Sequence, residues 1–163
     1  MESLEPQVEK IVSGGQTGAD RAALDFAITQ AIPYGGWCPK GRKAEDGSIP
    51  GQYQLVETPR ADYLQRNEWN VRDTDGTVIF TVSDTLSGGS RRTAEFAQQH
   101  GKPCLHLSEE VAGDGAAVLL LQFIEQKGIR VLNVAGSRWS KEAGVAAFVE
   151  RTLMKALVGN EAA

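Results

Sequence analysis

The chain has 163 residues, of which 41% are hydrophobic and 23% charged, a composition that supplies one hydrophobic core and excludes an intrinsically disordered chain. The formal net charge of −4 argues against a nucleic-acid partner, because a general nucleic-acid binder needs an excess of Lys and Arg on one face. No run approaches the roughly 18 apolar residues of a membrane span, and the polar first ten residues are unlike a signal peptide. We therefore expect a cytoplasmic protein with no membrane partner.

Short apolar runs alternate with helical patterns along the chain, which predicts β-α units and a mainly parallel sheet. The predicted fold is a single α/β domain over residues 1–163, doubly wound around five strands with helices on both faces, and with flexible ends at 1–9 and 159–163. The strands are expected at residues 10–13, 33–37, 77–83, 103–107 and 130–135. The helices are expected at residues 19–30, 58–71, 93–99, 115–127 and 140–158.

Glycines mark the turn between the first strand and the first helix. Gly14 and Gly15 end the predicted strand and Gly18 opens the helix, so the backbone can turn sharply and bring its N–H groups close to a phosphate. With the intervening Gln16 and Thr17, these residues form our first candidate binding set. The pattern is neither the dinucleotide fingerprint nor the P-loop, and a tight turn without a ligand is the alternative interpretation.

Two further predictions concern this turn. Thr17 is expected to cap the helix and Asp20, three residues later, to return the bond as in a capping box. A Gly15→Val substitution is expected to abolish ligand binding and largely spare the fold, since a branched side chain would fill the space above the helix terminus.

A second turn with the composition of an anion site follows the third predicted strand. Gly88, Gly89, Ser90, Arg91 and Thr93 supply glycines, hydroxyls and a guanidinium group just before a predicted helix. Arginine suits phosphate because its planar fork binds two oxygens at once and stays charged. We predict that these residues bind the ligand, and a solvated surface loop is the alternative.

The topology of a parallel sheet brings such turns together. A third turn, at residues 135–140, follows the last predicted strand and again combines small, hydroxyl and arginine side chains. In a parallel sheet the strands end on one edge, where ligands bind in open α/β folds. We therefore predict a phosphate site on that edge. The loop 39–60, with Lys40 and Arg42, is expected either to cover the ligand or to be a charged surface excursion.

Other polar residues give weaker signals. Arg66 and Asn70 share a helix face and can reach a ligand together, although a solvent-facing polar stripe fits equally well. Cys104 and His106 share one face of a strand without further spaced partners, so we expect no metal site. Cys38 and Cys104 are too few for a disulfide framework and are interpreted as buried thiols. No set of nucleophile and base is apparent, so an enzyme is not favoured.

Three blocks of sequence, at residues 14–25, 36–47 and 70–77, resemble the molybdenum carrier family. They read GGQTGADRAALD, GWCPKGRKAEDG and NVRDTDGT, they occur in the same order as in the family, and the resemblance runs from about residue 11 to 136. The chain departs from the family pattern at 137–144, where a proline after the glycine and a later Pro-Gly pair are expected.

The resemblance implies a Rossmann-like fold related to the nucleotide-sensing, lysine-decarboxylase-like proteins. It also implies a homo-oligomer that binds molybdenum cofactor (molybdopterin) without converting it. This cofactor is a pterin with one phosphate and an anionic dithiolene–metal head, so helix N-termini and cationic side chains suit its two ends. By the same resemblance, the ligand lies against residues 14–18, Lys40, Arg42 and residues 88–93.

Two other functions stay open. The stretch from Gly88 to Glu95 loosely resembles the phosphate-binding glycine motif of nucleoside-monophosphate phosphoribohydrolases, with a spacing that differs by one residue. Such an enzyme needs Glu95 or Asp20 facing the ribose. The other alternative is a nucleotide-sensing module without turnover. The hypothesis that the sequence favours is a carrier of molybdenum cofactor or of a similar phosphorylated pterin or nucleotide.

Overall fold

The structure is a computed structural model that describes residues 8–159, so most of the ends predicted to be flexible, 1–7 and 160–163, lie outside the described residues. The strands are β1 Lys10–Val12, β2 Tyr34–Gly35, β3 Trp37–Cys38, β4 Lys43–Ala44, β5 Gly47–Ser48, β6 Val56–Glu57, β7 Gly76–Thr81, β8 Cys104–Ser108 and β9 Val131–Gly136. The α-helices are α1 Ala19–Thr29, α2 Tyr63–Arg72, α3 Gly88–Gln99, α4 Glu109–Ala112, α5 Ala116–Lys127 and α6 Val145–Leu153.

The central sheet has five strands in the order β2-β1-β9-β7-β8, and each neighbouring pair is parallel. The predicted five-stranded parallel sheet is therefore confirmed. The strand that comes last in the chain lies in the middle, where Leu132 is opposite Ile11 and Val134 is opposite Val78. If the five central strands are renumbered with β9 first, followed by β1, β2, β7 and β8, the order across the sheet reads 3-2-1-4-5. This is the order of a doubly wound sheet.

Helices cover both faces of this sheet, as predicted. On one face α6 packs against α1 and α5, and on the other face α2 packs against α3. The main core lies under the first group, where Phe80 and Phe148 meet edge to face with ring centroids 5.5 Å apart. Small residues of α1, such as Ala23 and Ala27, are fully buried and allow this helix to approach the sheet closely. Within the described range, no helix is long and apolar enough to cross a membrane.

The second helix begins later than the sequence predicts. Thr58 and Pro59 favour the N-cap and first helical positions, but β6 pairs with β3, and the N–H of Thr58 donates to the carbonyl oxygen of Cys38 at 2.8 Å. This pairing holds the segment extended. The helix begins at Tyr63 instead, where the side chain of Asp62 accepts a hydrogen bond from the N–H of Gln65 and caps the N-terminus.

Two other helix starts also differ from the prediction. Helix α3 begins at Gly88 rather than at residue 93, and glycine is tolerated at this first position, where the N–H has no intrahelical acceptor. Helix α6 begins at Val145 rather than at residue 140, since the preceding segment forms a loop whose Glu142 side chain binds the backbone after β7.

Residues 36–60, called the insertion below, form a packed layer rather than an open loop. Strands β3 and β6 pair in parallel and β4 and β5 form a hairpin. Cys38, Ala44, Ile49 and Tyr53 are buried together and pack against Leu24 of α1. The insertion therefore has a small hydrophobic cluster of its own beside the first helix.

Candidate functional site

The turns after β1, β7 and β9 meet at the carboxyl edge of the central sheet and border a cavity of about 150 Å³, called the edge cavity below. The chain leaves β1 toward β2 and leaves β7 toward β8, so the cavity lies where the strand order reverses, which is where ligands bind in doubly wound sheets. The edge cavity is lined by Gln16, Asp20, Tyr63, Arg66, Asn67, Ser87, Gly88, Gly89, Ser90, Thr93, Ala135, Gly136, Ser137, Arg138 and Lys141.

Arg66, on α2, is the buried cation of the edge cavity, with a side chain only 5% exposed. Its Nη1 donates to the carbonyl oxygen of Gly14 at 2.6 Å, and its Nε donates to Oδ1 of Asn67 at 2.7 Å. Nη2 donates to no acceptor within residues 8–159. Since no buried side-chain nitrogen in that range lacks a partner, Nη2 is accessible, and Arg66 is part of the lining of the edge cavity.

The sequence left Arg66 undecided between a ligand contact and a solvent-facing stripe. In the structure Arg66, Asn70 and Val71 form the buried face of α2. Asn70 joins this helix to the insertion, because its side chain accepts from the N–H of Trp37 and donates to the carbonyl oxygen of the same residue. The sequence signal that could have identified Arg66 is therefore that the polar pair Arg66 and Asn70 shares a helix face with the apolar Val71.

Other elements also bring residues with free hydrogen-bond donors into the lining of the edge cavity. Gln16 is buried, and its Oε1 accepts from the N–H groups of Thr17 and Glu45, which leaves Nε2 without an acceptor among the described residues. Ser90 is 9% exposed, and its hydroxyl bonds to no residue of the described chain. Helix α3 adds first-turn N–H groups, because Ser87 provides no side-chain cap. Donors that converge in this way suit an anion.

Asp20 places one carboxylate among these donors. Its Oδ2 accepts from the N–H of Gln16 at 3.1 Å and lies 3.9 Å from Nη1 of Arg66. Burial raises the pKa of Asp20 against the opposing effect of Arg66, and burial lowers the pKa of Arg66 itself. Arg138 and Lys141 also line the cavity, so the described lining carries three cationic groups against one carboxylate and favours a negatively charged ligand.

The glycines of the first turn make room for the protein itself. A Cβ atom on Gly14 would lie 2.4 Å from Cδ of Arg66, and one on Gly18 would lie 2.4 Å from the carbonyl oxygen of Ser137. Of residues 14–18, the one that lines the edge cavity is Gln16. The first turn thus serves the cavity by admitting Arg66 and the loop after β9, and not by exposing glycine N–H groups along its whole length.

The structure contradicts the expectation that Gly15→Val largely spares the fold, whereas its effect on ligand binding stays a prediction. Gly15 has a φ of +84°, and a Cβ atom there would lie 2.8 Å from Cδ1 of Ile49 and 2.9 Å from Cδ1 of Leu55. The free space above Gly15 thus belongs to the insertion and not to the cavity. A valine at this position would strain the backbone and disturb the packing of Ile49 and Leu55.

The predicted capping box is also wrong. The N-cap of α1 is Gly18, which has no side chain to accept a hydrogen bond. The hydroxyl of Thr17 donates to the carboxylate of Glu45, and Asp20 accepts from the N–H of Gln16. The two side chains thus bind different neighbours, because the insertion and the preceding turn provide competing partners.

The second predicted turn contributes most of its residues to the edge cavity. Gly88, Gly89, Ser90 and Thr93 line it from the start of α3. Arg91 is outside the lining: its side chain is 71% exposed and pairs with a carboxylate one turn further along the helix. Because α3 already begins at Gly88, Arg91 lies within the helix and its side chain is directed toward solvent. The sequence placed Arg91 in a loop before the helix, which does not specify a direction for the side chain.

The structure does not bring the two predicted cations of the insertion to the edge cavity. Lys40 is exposed and lies outside the lining. Arg42 donates through Nε to the carbonyl oxygen of Ile49 at 3.2 Å, and through Nη2 to those of Pro50 at 2.8 Å and Tyr53 at 2.7 Å. Arg42 is therefore a structural clamp within the insertion.

Glu142 joins two of the turns that border the edge cavity. Its carboxylate accepts from the N–H groups of Val82 and Ser83 after β7 and from the hydroxyl of Ser137 after β9, all at 2.7–2.8 Å. Desolvation opposes its ionisation, but the hydrogen bonds outweigh that effect and lower the pKa of Glu142. This carboxylate lies in the segment where the sequence departs from the molybdenum carrier pattern.

Glu45 joins the insertion to the same edge. It accepts from the hydroxyls of Thr17 and Ser140 and from the N–H of Ser140, and it lies 3.5 Å from Nε of Arg138. Desolvation opposes ionisation here too, but the hydrogen bonds from Ser140 and Thr17 prevail and lower the pKa of Glu45. The insertion is thus fixed to the turns after β1 and β9.

The two cysteines lie away from this site. Cys38 is buried as predicted, whereas Cys104 is exposed, because β8 is an edge strand of the sheet. His106, on the same strand, lies 2.6 Å from the hydroxyl of Thr81. Within residues 8–159, no group of three or more His, Cys, Asp or Glu side chains is placed to hold a metal ion.

Comparison with known proteins agrees with the fold. No curated protein matches the chain. The crystal structure of a protein from Syntrophus aciditrophicus SB, described as "Putative molybdenum carrier protein", is 49% identical and superposes with a TM-score of 0.91, covering 94% of this chain and 97% of that one. The resemblance to molybdenum carriers and the Rossmann-like fold it implies are thus confirmed.

A family model, described as "Circularly permutated YpsA SLOG family", matches residues 11–157, and its description fits a sheet whose order becomes 3-2-1-4-5 when counted from β9. The chain belongs to the circularly permutated YpsA SLOG family.

Proposed function

We propose that this protein binds and carries a phosphorylated small molecule and that the phosphate occupies the edge cavity. The observation that carries the proposal is a set of donors that have no acceptor in the described chain and belong to largely buried residues of the cavity lining, namely Nη2 of Arg66, Nε2 of Gln16 and the hydroxyl of Ser90. Since no buried side-chain nitrogen or oxygen of residues 8–159 lacks a partner, these donors are accessible and can bind a ligand. A phosphate supplies acceptors for all of them.

Molybdenum cofactor is the ligand that we propose first. The support is the name of the Syntrophus protein, which shares nearly half of its sequence with this chain. The residues present fit the phosphate of such a pterin, with Arg66, Ser90 and Gln16 as its partners. Pockets that enclose whole small molecules measure about 300–1,000 Å³, twice the volume of the edge cavity or more, so the ring system and its metal-binding head would lie outside.

A nucleotide-cleaving enzyme is the second candidate, and one observation favours it. Asp20 lies in the edge cavity with a raised pKa, as a proton donor or acceptor would require. Glu95, the other carboxylate that such chemistry could use, pairs with Arg92 and lies outside the lining. If the protein hydrolyses a nucleotide, Asp20 is the residue to carry the proton. A nucleotide sensor would use the same donors without turnover.

Two measurements test the proposal. Mass spectrometry of the small molecules released by denaturing natively purified protein is expected to detect a phosphorylated pterin; a nucleotide would instead favour the alternatives. Calorimetry of the ligand-free protein is expected to show binding of methyl phosphate at the edge cavity. If no phosphorylated compound is released and methyl phosphate does not bind, the proposed function is wrong. Incubation with nucleoside monophosphates, with the free base as the product measured, separates the enzyme from the carrier.

A further inference from the structure

Asp20 is the one carboxylate among the described residues that line the edge cavity. It lies in the first turn of α1, its side chain is 11% exposed, and its Oδ2 accepts from the N–H of Gln16 at 3.1 Å. Ser13, which also lies close to this carboxylate, donates its hydroxyl proton to the carbonyl oxygen of Val134 at 2.7 Å. Oδ1 therefore has no donor among residues 8–159, and it is accessible because no buried side-chain oxygen of that range lacks a partner.

Pairing with Arg66 does not account for this carboxylate. Oδ2 of Asp20 lies 3.9 Å from Nη1 of Arg66, which is beyond hydrogen-bond distance. The guanidinium group donates instead to the carbonyl oxygen of Gly14 and to Oδ1 of Asn67. A carboxylate that only neutralised a buried arginine would be expected to accept its hydrogen bonds. Asp20 thus keeps an acceptor for another partner.

The two side chains next to Asp20 are donors of the proposed phosphate site. Gln16 bonds to Oδ2 through its N–H and Arg66 lies 3.9 Å from the same oxygen, and each has a side-chain donor without an acceptor in the described chain. An anion that accepts from both donors lies beside the carboxylate of Asp20. Two negative groups in such contact repel each other unless a proton lies between them.

Phosphate and sulfate differ in whether they bring this proton. A phosphate monoester loses its second proton with a pKa of about 6, and inorganic phosphate keeps one proton at neutral pH. A hydroxyl group on phosphorus donates to a carboxylate in a short, charge-assisted hydrogen bond. Sulfate has the same tetrahedral shape but no proton to donate. A free carboxylate oxygen among the donors therefore distinguishes the two anions.

We infer that Asp20 accepts a hydrogen bond from a protonated oxygen of the phosphate and thereby selects phosphate over sulfate in the edge cavity. The inference rests on the proposed function, since it assumes that the phosphate occupies this cavity. A monoanionic phosphate monoester brings the proton itself, and a dianionic one binds with uptake of one proton from solvent. Burial raises the pKa of Asp20 against the opposing effect of Arg66, which helps the carboxylate to share that proton.

Calorimetry on the ligand-free protein at neutral pH tests the selectivity. We expect inorganic phosphate to bind about tenfold more tightly than sulfate, the effect of one charge-assisted hydrogen bond. In Asp20→Asn the amide oxygen can still accept from Gln16, and the NH2 group can donate to either anion. We expect this variant to reduce the preference to less than about threefold. Asp25→Asn, on the same helix and outside the lining, is the matched control and is expected to keep the preference.

Proton uptake gives a second measurement that needs no variant. Methyl phosphate is titrated at pH 8, where it is a dianion, in buffers that differ in ionisation enthalpy. We expect the protein to take up about one proton per bound ligand, and the affinity to fall about tenfold from pH 7 to pH 8. The charged or titratable groups around Asp20 are Arg21 on α1, Tyr63 and Arg66 on α2, and Arg138 and Lys141 after β9. Uptake by any of these groups would persist in Asp20→Asn, where we expect almost none.

The outcomes separate this inference from the proposed function. If neither inorganic phosphate nor methyl phosphate binds, both fail. If phosphate and sulfate bind equally and methyl phosphate binds without proton uptake, the phosphate site stands and the role of Asp20 is wrong. A preference for phosphate or a proton uptake that survives unchanged in Asp20→Asn would also overturn that role. Because the unsubstituted protein provides both measurements, the inference can be contradicted even if the variant does not fold.

Discussion

Arg66 and Arg42 show how the edge cavity and the insertion use the same side chain for different purposes. Arg42 donates to three carbonyl oxygens of the insertion, whereas Arg66 donates to two neighbours and leaves Nη2 without an acceptor among residues 8–159. The difference teaches that an arginine is a candidate ligand contact when its donors are incompletely satisfied. A positive charge in a block that resembles a known family does not by itself make an arginine a ligand contact.

The largest effect is expected for Arg66→Met. Removing the guanidinium group removes the buried one of the three cationic groups in the lining, and charged hydrogen bonds contribute about 1.5–3 kcal/mol each. We expect methyl phosphate to bind at least about 100-fold more weakly, as measured by calorimetry. Because Asp20 also loses its neighbouring cation, Arg66→Lys is the companion variant: it keeps the charge and is expected to fold and to lose about tenfold. An unchanged affinity in both variants would contradict the role of Arg66.

Arg42→Met tests the other side of the comparison. The three carbonyl oxygens that it binds lose their donor, so we expect the free energy of unfolding to fall by about 2 kcal/mol. Chemical denaturation measures this loss. The affinity for methyl phosphate is expected to stay within threefold of the original value. A loss of affinity comparable to that of Arg66→Met would mean that the insertion supplies a ligand contact after all.

Gly14→Ala is expected to have an intermediate effect, because a Cβ atom at this position would lie 2.4 Å from Cδ of Arg66. The arginine has to shift, and we expect about a tenfold loss in methyl phosphate affinity, roughly 1.4 kcal/mol. Gly51→Ala is the control, since no heavy atom lies within 4 Å of a Cβ atom at Gly51. Equal affinities in the two variants would show that Arg66 tolerates displacement.

The smallest effect is expected for Glu45→Gln, which weakens the link between the insertion and the cavity turns. The pKa of Glu45 is lowered in the folded state, so its contribution to stability is present above the unfolded pKa and is lost as the pH falls through the folded value. We expect the variant to be about 1 kcal/mol less stable at pH 7 and the difference to shrink toward pH 3. Thermal melts across this range measure it, and a difference independent of pH would contradict the ionic link.

The sequence predicted the sheet well because strands and glycine turns depend on local patterns. Short apolar runs bounded by glycine located all five central strands, and the small residues after β1, β7 and β9 indicated the edge that holds the cavity. The strand order could not be predicted, because nothing local distinguishes β9 as a central strand from an edge strand. The start of α2 was missed because the pairing of β6 with β3 overrides the capping preference of Thr58.

The site was predicted in part. The predicted residues that line the edge cavity are Gln16, Gly88, Gly89, Ser90 and Thr93. Arg66 was not among the predicted site residues, because its burial depends on the packing of α2 against α3 and on the space left by Gly14. The contribution of these residues to ligand binding stays a prediction, as do the homo-oligomer and the cytoplasmic location.

The central position of β9 has a consequence for synthesis of the protein. The β1–β2 pair and the β7–β8 pair are joined through β9, so a nascent chain that ends before residue 131 holds two separate strand pairs with unpaired edges. Such edges readily join other chains. The sheet becomes continuous once this last strand inserts between the pairs, and the edge cavity, which has walls from both halves, is completed in the same event. Ligand present during translation would therefore act late, on an almost finished molecule.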